Sequence, residues 1–191
     1  GGAAVVAARG RGGGGAEGGV RAGARGSAPA VASPACRIGG GDGRVTPSDV
    51  FVGLSERTGG AGYASGHGLL TGDRALTPIR LMGSALHLDV ALNLLSMRLG
   101  VLHRSSISGD LPPSLGDVEW IEVTDEEFAE QAVNMLVLDG GTVMLDARHE
   151  RLQVALENKG LRCLSVELDE IATVGGGLRC RTLPLKRIRK S

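Results

Sequence analysis

The chain has 191 residues, with 21 Lys and Arg balanced by 21 Asp and Glu. That is room for one ordinary domain, or a small domain with a tail, and it excludes a protein whose main business is wrapping nucleic acid by charge. Hydrophobic residues make up 42% of the chain but aromatics only 2%, alongside 32 glycines, so a core must come from Leu, Val, Ile and Ala, and rings for stacking on single-stranded nucleic acid are nearly absent.

Residues 1–37 are almost entirely Gly, Ala, Arg, Val and Ser, with Glu17 as the only acid. No period of 2 or 3.6 runs through them, and little there could be buried to offset the entropy of ordering, so the segment reads as disordered. Its scarcity of acids also resembles an organelle transit peptide, the alternative to a cytoplasmic location. Residues 38–191 change character and form the candidate domain. Val50–Leu54 is a short apolar run between turn formers and predicts a buried strand. Residues 59–78 are Gly-rich and interrupted by Pro78, poor material for a helix. Ala85–Leu92 and Leu99–Leu102 both read as strands.

The second half has clearer signals. Thr124 with Glu127 is a capping box and Val123 with Phe128 a hydrophobic staple, which starts a helix at Asp125. Met135–Leu138, Asp139-Gly140-Gly141 and Thr142–Leu145 predict a β-hairpin. A helix follows over about 147–159, with Leu152, Ala155 and Leu156 on one face and Gly160 as its stop. Leu161–Val166 returns as a strand. No apolar run reaches the roughly 20 residues of a membrane-spanning helix. The order strand, strand, helix, strand, preceded by a comparable unit, argues for α/β architecture built from repeated small modules.

Three places could carry chemistry. Gly175-Gly176-Gly177 lets a backbone approach a ligand closely and delivers Cys180 to the start of a strand, between Arg179 and Arg181, whose charges would favour a thiolate. Cys163, inside an apolar strand, reads as an ordinary thiol, and three scattered cysteines make no disulfide framework. On a strand, His87 and Asp89 would share one face while Leu86 and Leu88 pack behind them. That would set an imidazole beside a carboxylate, or make a structural ion pair. His67, His103 and His149 lack such company, His149 falling on an exposed helix face. The third place is Gly39-Gly40-Gly41-Asp42, followed by Gly53-Leu54-Ser55-Glu56-Arg57-Thr58. It lacks the strand-then-helix setting of a dinucleotide fingerprint, and no Cys or His pair has zinc-ligand spacing.

Taken in order, Gly40–Asp42, Gly53–Thr58, His87–Asp89, Asn134 and Gly176–Leu185 resemble the guanidino-group-modifying enzymes, nearest to the dimethylarginine dimethylaminohydrolase and arginine deiminase families. The resemblance spans about residues 38–188. It implies the pentein fold, a five-bladed α/β propeller of ββαβ modules, of which this length holds about three. It further implies Cys180 as nucleophile and His87 as general acid and base. Asp89 is implied to hold the guanidinium and Arg57 the carboxylate end, with Asp42 and Val174 also on the substrate side. The activity implied is hydrolysis of a guanidino compound to a ureido product without metal or organic cofactor. The partner implied is a small molecule, with neither nucleic acid nor membrane, in a protein that could form a homodimer. Amidino transfer and a catalytically silent binding relative are the alternatives. The family places an acid where this chain has Gly39, which leads to the expectation that His87 lacks an orienting carboxylate.

Overall fold

A computed structural model of the chain describes residues 41–64, 73–168 and 176–182. Segment 1–37 and Val174 lie outside the described residues, as do Gly39, Cys36 and His67.

Among the described residues, three sheets of three strands follow one another, each built by the same rule. In the first, β1 (Gly43–Val45) pairs antiparallel with β2 (Asp49–Leu54), and β2 pairs parallel with β3 (Ala75–Arg80). The second repeats this with β4 (Leu92–Leu94), β5 (Leu99–Leu102) and β6 (Glu119–Glu122). The third has β7 (Leu136–Val137), β8 (Thr142–Asp146) and β9 (Arg162–Val166). The middle strands β2, β5 and β8 carry the densest apolar runs and are the most buried, as strands flanked on both edges and packed on both faces must be.

The parallel step in each sheet needs a crossover. In the third it is α3 (Glu150–Asn158), which sets Leu152 and Leu156, both fully buried, onto the sheet. Gly160 ends α3 at φ +81°. Its N–H donates to the Glu157 carbonyl while the Leu161 N–H reaches the Leu156 carbonyl, the paired bonds of a Schellman stop. In the first sheet, residues 60–64 are helical, and Tyr63 donates its hydroxyl to the Leu76 carbonyl. Segment 59–78 is expected from sequence to be poor material for a helix, and among its described residues the helix is limited to 60–64. β3 runs straight through Pro78, which the sheet tolerates because β3 is an edge strand.

Between the second and third sheets, α2 (Asp125–Ala129) starts at the predicted capping box. Thr124 Oγ1 accepts from the Glu127 N–H and Glu127 Oε2 from the Thr124 N–H. Glu127 also takes both the Nε and Nη2 of Arg151, tying α2 to α3. Between the first and second sheets the expected strand over 85–92 is replaced by α1 (Leu88–Ala91), with His87 as its N-cap residue, before β4 begins at Leu92. The Leu-His-Leu-Asp alternation imitates a strand, and a helix of one turn offers no period of its own.

One cluster running from Phe51 and Ile79 through Leu88, Leu92, Val101 and Ile121 to Val143, Leu145, Leu152 and Leu156 joins the three sheets. Gly100 is a packing requirement of that core. A Cβ there would stand 2.3 Å from Trp120 Cζ3, its partner across the β5–β6 ladder. Gly100→Ala must push the indole off the sheet, so it should destabilise the fold by about 1–3 kcal/mol. Urea titration followed by emission of Trp120, the chain's single Trp, reads both the lower midpoint and the displaced ring.

Candidate active site

Asp42, immediately before β1, is fully buried and holds three partners. Its Oδ1 accepts the Leu88 N–H at 3.0 Å, and its Oδ2 accepts the Thr58 hydroxyl at 2.7 Å and faces His87 Nδ1 at 3.2 Å. The carboxylate thus tethers the first residue of α1 and supports the imidazole in one stroke. The hydrogen bond to Asp42 raises the His87 pKa, with a further push from Asp89, against burial and the nearby Arg57 charge. Thr58 and Asp42 come from the two motifs that flank β1 and β2, and the Gly53 N–H on the Asp42 carbonyl at 2.9 Å closes them together.

With all its reach taken up inside the protein, Asp42 stands behind the imidazole rather than on an open substrate wall. The expectation that Gly39 leaves His87 without an acid is corrected by the same contact: the carboxylate three residues later faces the ring.

Asp89 is brought in by Gly41, whose carbonyl accepts the Asp89 N–H at 3.0 Å. Only glycine suits that approach, since a Cβ at position 41 would lie 2.7 Å from Asp89 Oδ1. His87 and Asp89 therefore stand at the cap and in the first turn of α1, not on one face of a strand as expected from sequence. The Asp89 side chain is 3% exposed. Its Oδ2 lies 3.7 Å from Cys180 Sγ and 3.7 Å from Arg179 Nε, and its Oδ1 is buried with no partner.

Cys180 sits in a one-turn 3₁₀ helix (Arg179–Arg181), correcting the expected strand start. Asn134 holds it there. The amide oxygen accepts the Cys180 N–H at 3.0 Å, and Nδ2 donates to Cys180 Sγ and to the Asp89 carbonyl, each at 3.2 Å. Asn134 lies in the loop before β7. Its own segment is pinned by Asn93, whose Nδ2 donates to the Val133 and Met135 carbonyls at 3.0 and 2.9 Å.

Gly176, at φ +89°, and Gly177 let the loop pass close by, since a Cβ at 177 would lie 2.8 Å from Asn134 Cβ. Cys180 is exposed on one side. Desolvation and the Asp89 carboxylate push its thiol pKa up, outweighing the Asn134 hydrogen bond and the Arg179 charge. The resting site therefore favours thiol, and a cation seated on Asp89 would remove one of the two causes.

Arg57 is exposed on the turn after β2, where its N–H is held by Ser55 Oγ at 3.1 Å, and its charge reaches His87. Of the other histidines, His103 is a structural residue. It bonds Ser106 and Asp125 and stacks on Phe128 at 4.0 Å between centroids. His149 corrects its reading: it is the buried cap residue of α3, 3% exposed, not an exposed helix residue. Cys163 is partly buried on β9, its thiol directed at the Gln153 carbonyl. Sequence reasoning missed Asn93, inside β4, and noted Asn134 ahead of β7 without its role as the holder of Cys180. It also passed over Arg44 on β1, which is 5% exposed. Burial and the Arg179 charge pull the Arg44 pKa down to about 9, so it keeps its charge at neutral pH.

No protein-family profile matches the chain. A relative from Bacillus subtilis (strain 168), described as the uncharacterized protein YkgA, is 28% identical over 151 residues, covering 78% of this chain and 52% of its own. Among solved structures, SxtG, an amidinotransferase of the saxitoxin biosynthetic pathway of Microseira wollei, superposes with a TM-score of 0.71 at 20% identity. The match covers 79% of this chain and 48% of SxtG. A dimethylarginine dimethylaminohydrolase from Pseudomonas aeruginosa in complex with citrulline superposes with a TM-score of 0.60 at 23% identity, covering 72% of this chain and 52% of its own. The chain spans about half the length of each. Among the described residues no helix is long and apolar enough to cross a membrane. Three successive mixed sheets among the described residues, each an antiparallel pair with a parallel third strand, give this chain the pentein-propeller fold of these solved structures.

Proposed function

We propose that the site hydrolyses a C–N bond of a guanidino compound through a covalent intermediate on Cys180. The observation that carries this reading is the Asp89 carboxylate, buried 3.7 Å from Cys180 Sγ with one oxygen unpartnered. A planar cation with N–H donors satisfies that oxygen and presents its carbon to the sulfur. Seating the cation neutralises Asp89, which lowers the thiol pKa; the thiol gives its proton to solvent, and the thiolate then attacks the guanidinium carbon. The tetrahedral adduct breaks its C–N bond as His87, supported by Asp42, gives a proton to the departing nitrogen. An amidino-thioether and an amine or ammonia result. His87 next takes a proton from water, whose oxygen adds to the amidino carbon. The C–S bond breaks, the thiolate returns, and a ureido product leaves.

In this scheme Arg57 stands at the exposed mouth for a substrate's carboxylate end, and Asp42 is a positioning residue rather than a substrate ligand. Val174 stays assigned to the substrate wall by resemblance alone. Free thiols at Cys163 and Cys180 suit a reducing compartment, and we place the protein in the cytoplasm.

The test is incubation with arginine, its methylated forms and agmatine, with assay of ureido product and released amine, beside the Asp89→Asn variant. We expect ureido product from at least one substrate and a loss of about 10²-fold or more in kcat/KM for Asp89→Asn. Amidino transfer to an added amine with no ureido product would move the assignment to transferase. Turnover unaffected by Asp89→Asn would end the guanidinium role of that residue.

A further inference from the structure

Beside the loop that carries Cys180, a cavity of about 290 Å³ opens between the end of α2, the turn from β8 into α3, and Gly176–Leu178. Cys180, His87 and Asp89 are not among the residues that line it, so it is separate from the reaction centre. The two share a wall, however. Asn134 and Gly177 both border the cavity, and a Cβ at 177 would lie 2.8 Å from Asn134 Cβ. The volume is at the small end of ligand-binding cavities and fits a small molecule rather than a nucleotide.

His149 is the buried, incompletely bonded group of this wall. Its side chain is 2% exposed, and it has no part in the chemistry proposed above. Nδ1 faces Glu130 Oε2 at 3.9 Å, whereas Nε2 is buried with no hydrogen-bond partner. A carboxylate beside Nδ1 draws the ring proton to that nitrogen and leaves a lone pair on Nε2. Such an acceptor is costly to bury until a donor meets it. Arg148 is committed elsewhere on the same wall: Asp146 Oδ1 accepts its N–H, and Oδ2 accepts its Nε and Nη2.

The charge of the wall selects among donors. Two acids, Glu130 and Asp146, stand against one base, Arg148, which leaves one negative charge in excess. Asp146 and Arg148 pair at 2.6 Å, so the excess is that of Glu130, which is 51% exposed. An anion is repelled by that charge, and a neutral alcohol gains nothing from it. A primary ammonium group brings N–H donors for Nε2 together with a positive charge for Glu130. Its carbon chain has Met135, Leu168 and Leu178 to rest against. Gln131, held in the left-handed region at φ +67°, belongs to the same wall, and non-glycine residues in that conformation cluster at ligand sites.

We propose that this cavity is an effector site for a small organic ammonium compound, held by His149 and Glu130, whose binding is felt at Cys180. The coupling runs through Gly177, packed against Asn134, and Asn134 fixes both the N–H and the sulfur of Cys180.

Four probes separate the causes: n-butylammonium, with charge and donors; n-butanol, with a donor and no charge; tetramethylammonium, with charge and no donor; and butyrate, with the opposite charge. Calorimetry reads affinity. The nitrogen-15 resonances of the His149 ring, assigned by their loss in His149→Phe, read location and tautomer. Asp89 Oδ1 is the other buried acceptor without a partner among the described residues, so each titration is repeated in Asp89→Asn. We expect n-butylammonium to shift the His149 Nε2 resonance saturably in both proteins. The other three probes should bind at least about tenfold more weakly. Affinity for n-butylammonium should fall about tenfold in His149→Phe and about threefold in Glu130→Gln, whose charge is half exposed. If His149→Phe fails to fold, Glu130→Gln carries the test. In Asp89→Asn, saturating n-butylammonium should change the rate of Cys180 alkylation by iodoacetamide at least about twofold, with Cys163 unmoved in the same sample.

Binding that vanishes in Asp89→Asn and survives in His149→Phe would place the amine at the reaction centre and overturn the proposal. Tighter binding of butyrate than of n-butylammonium would overturn it too, since Nε2 would then be a donor. So would a His149 ring that does not respond up to about 50 mM amine. An amine bound at His149 with Cys180 reactivity unchanged would overturn the effector role. None of these measurements uses turnover, so they stand or fall apart from the hydrolase reading.

Discussion

Replacing Cys180 by serine should abolish the proposed turnover, to at least about 10⁴-fold below the unaltered protein, whereas Cys163→Ser should keep most of it. The sulfur is the atom that Asn134 and Asp89 surround, while Cys163 on β9 reaches the backbone carbonyl of Gln153 in α3. A serine hydroxyl can take the Asn134 hydrogen bond but has no accessible anion near neutral pH. Comparable losses in both variants would indicate misfolding, which far-ultraviolet circular dichroism separates from chemistry. The same experiment has a pH arm. Because Asp89 raises the thiol pKa, alkylation of Cys180 by iodoacetamide should rise with pH at a midpoint above that of an ordinary cysteine, and Asp89→Asn should move that midpoint down. Movement upward would mean that the carboxylate does not act on the sulfur.

The second large effect belongs to Asp42. In Asp42→Asn the amide can still accept the Leu88 N–H, but its NH₂ group must face either Thr58 or His87. An amide donor turned toward Nδ1 selects the wrong tautomer and does nothing for an imidazolium, so kcat should fall by about 10²- to 10⁴-fold. The sign of the pH effect follows from the raised His87 pKa. The unaltered protein gains stability from protonated His87 below the ordinary histidine range, and loses that gain as pH rises through the elevated folded value. Asp42→Asn should flatten stability across that window and move the His87 titration, followed by nuclear magnetic resonance, toward lower pH. Gly39→Glu should leave the rate within about threefold, because an acid already supports the ring. A tenfold gain from Gly39→Glu would instead show that the Asp42 contact is insufficient.

What could be read directly from sequence were features whose cause lies within a few residues. The capping box at Thr124 and Glu127, the hairpin over Asp139–Gly141 and the stop at Gly160 each depend on groups three or four positions apart. α1 is the opposite case. Its first N–H is satisfied by Asp42, 46 residues earlier, so the Leu-His-Leu-Asp-Val alternation gave no warning of a turn of helix. The partner of His87 was not legible either: the imidazole faces Asp42, and Asp89 acts on it by charge alone. The burial of Arg44 and His149 was invisible for another reason. Charged and polar side chains are expected outside, and only the surrounding sheets reveal that these two are inside. Asn134 was noticed as a pattern and not as a holder of Cys180, since an amide carries no signature of the bond it will make.

Cys180 owes its position to amides that do not ionise: Asn93 fixes the segment of Asn134, and Asn134 fixes the sulfur and its own N–H. The groups that change charge during a reaction, His87, Asp89 and the thiol itself, are thereby kept apart from the groups that locate the sulfur. Across the pH range in which the imidazole and the thiol titrate, the two amides keep the same donors and acceptors. The Cys180 thiol can therefore change its protonation state without changing its place. An aspartate at position 134 would merge the two duties, and the sulfur would then shift, and lose its donor, with every change in proton count.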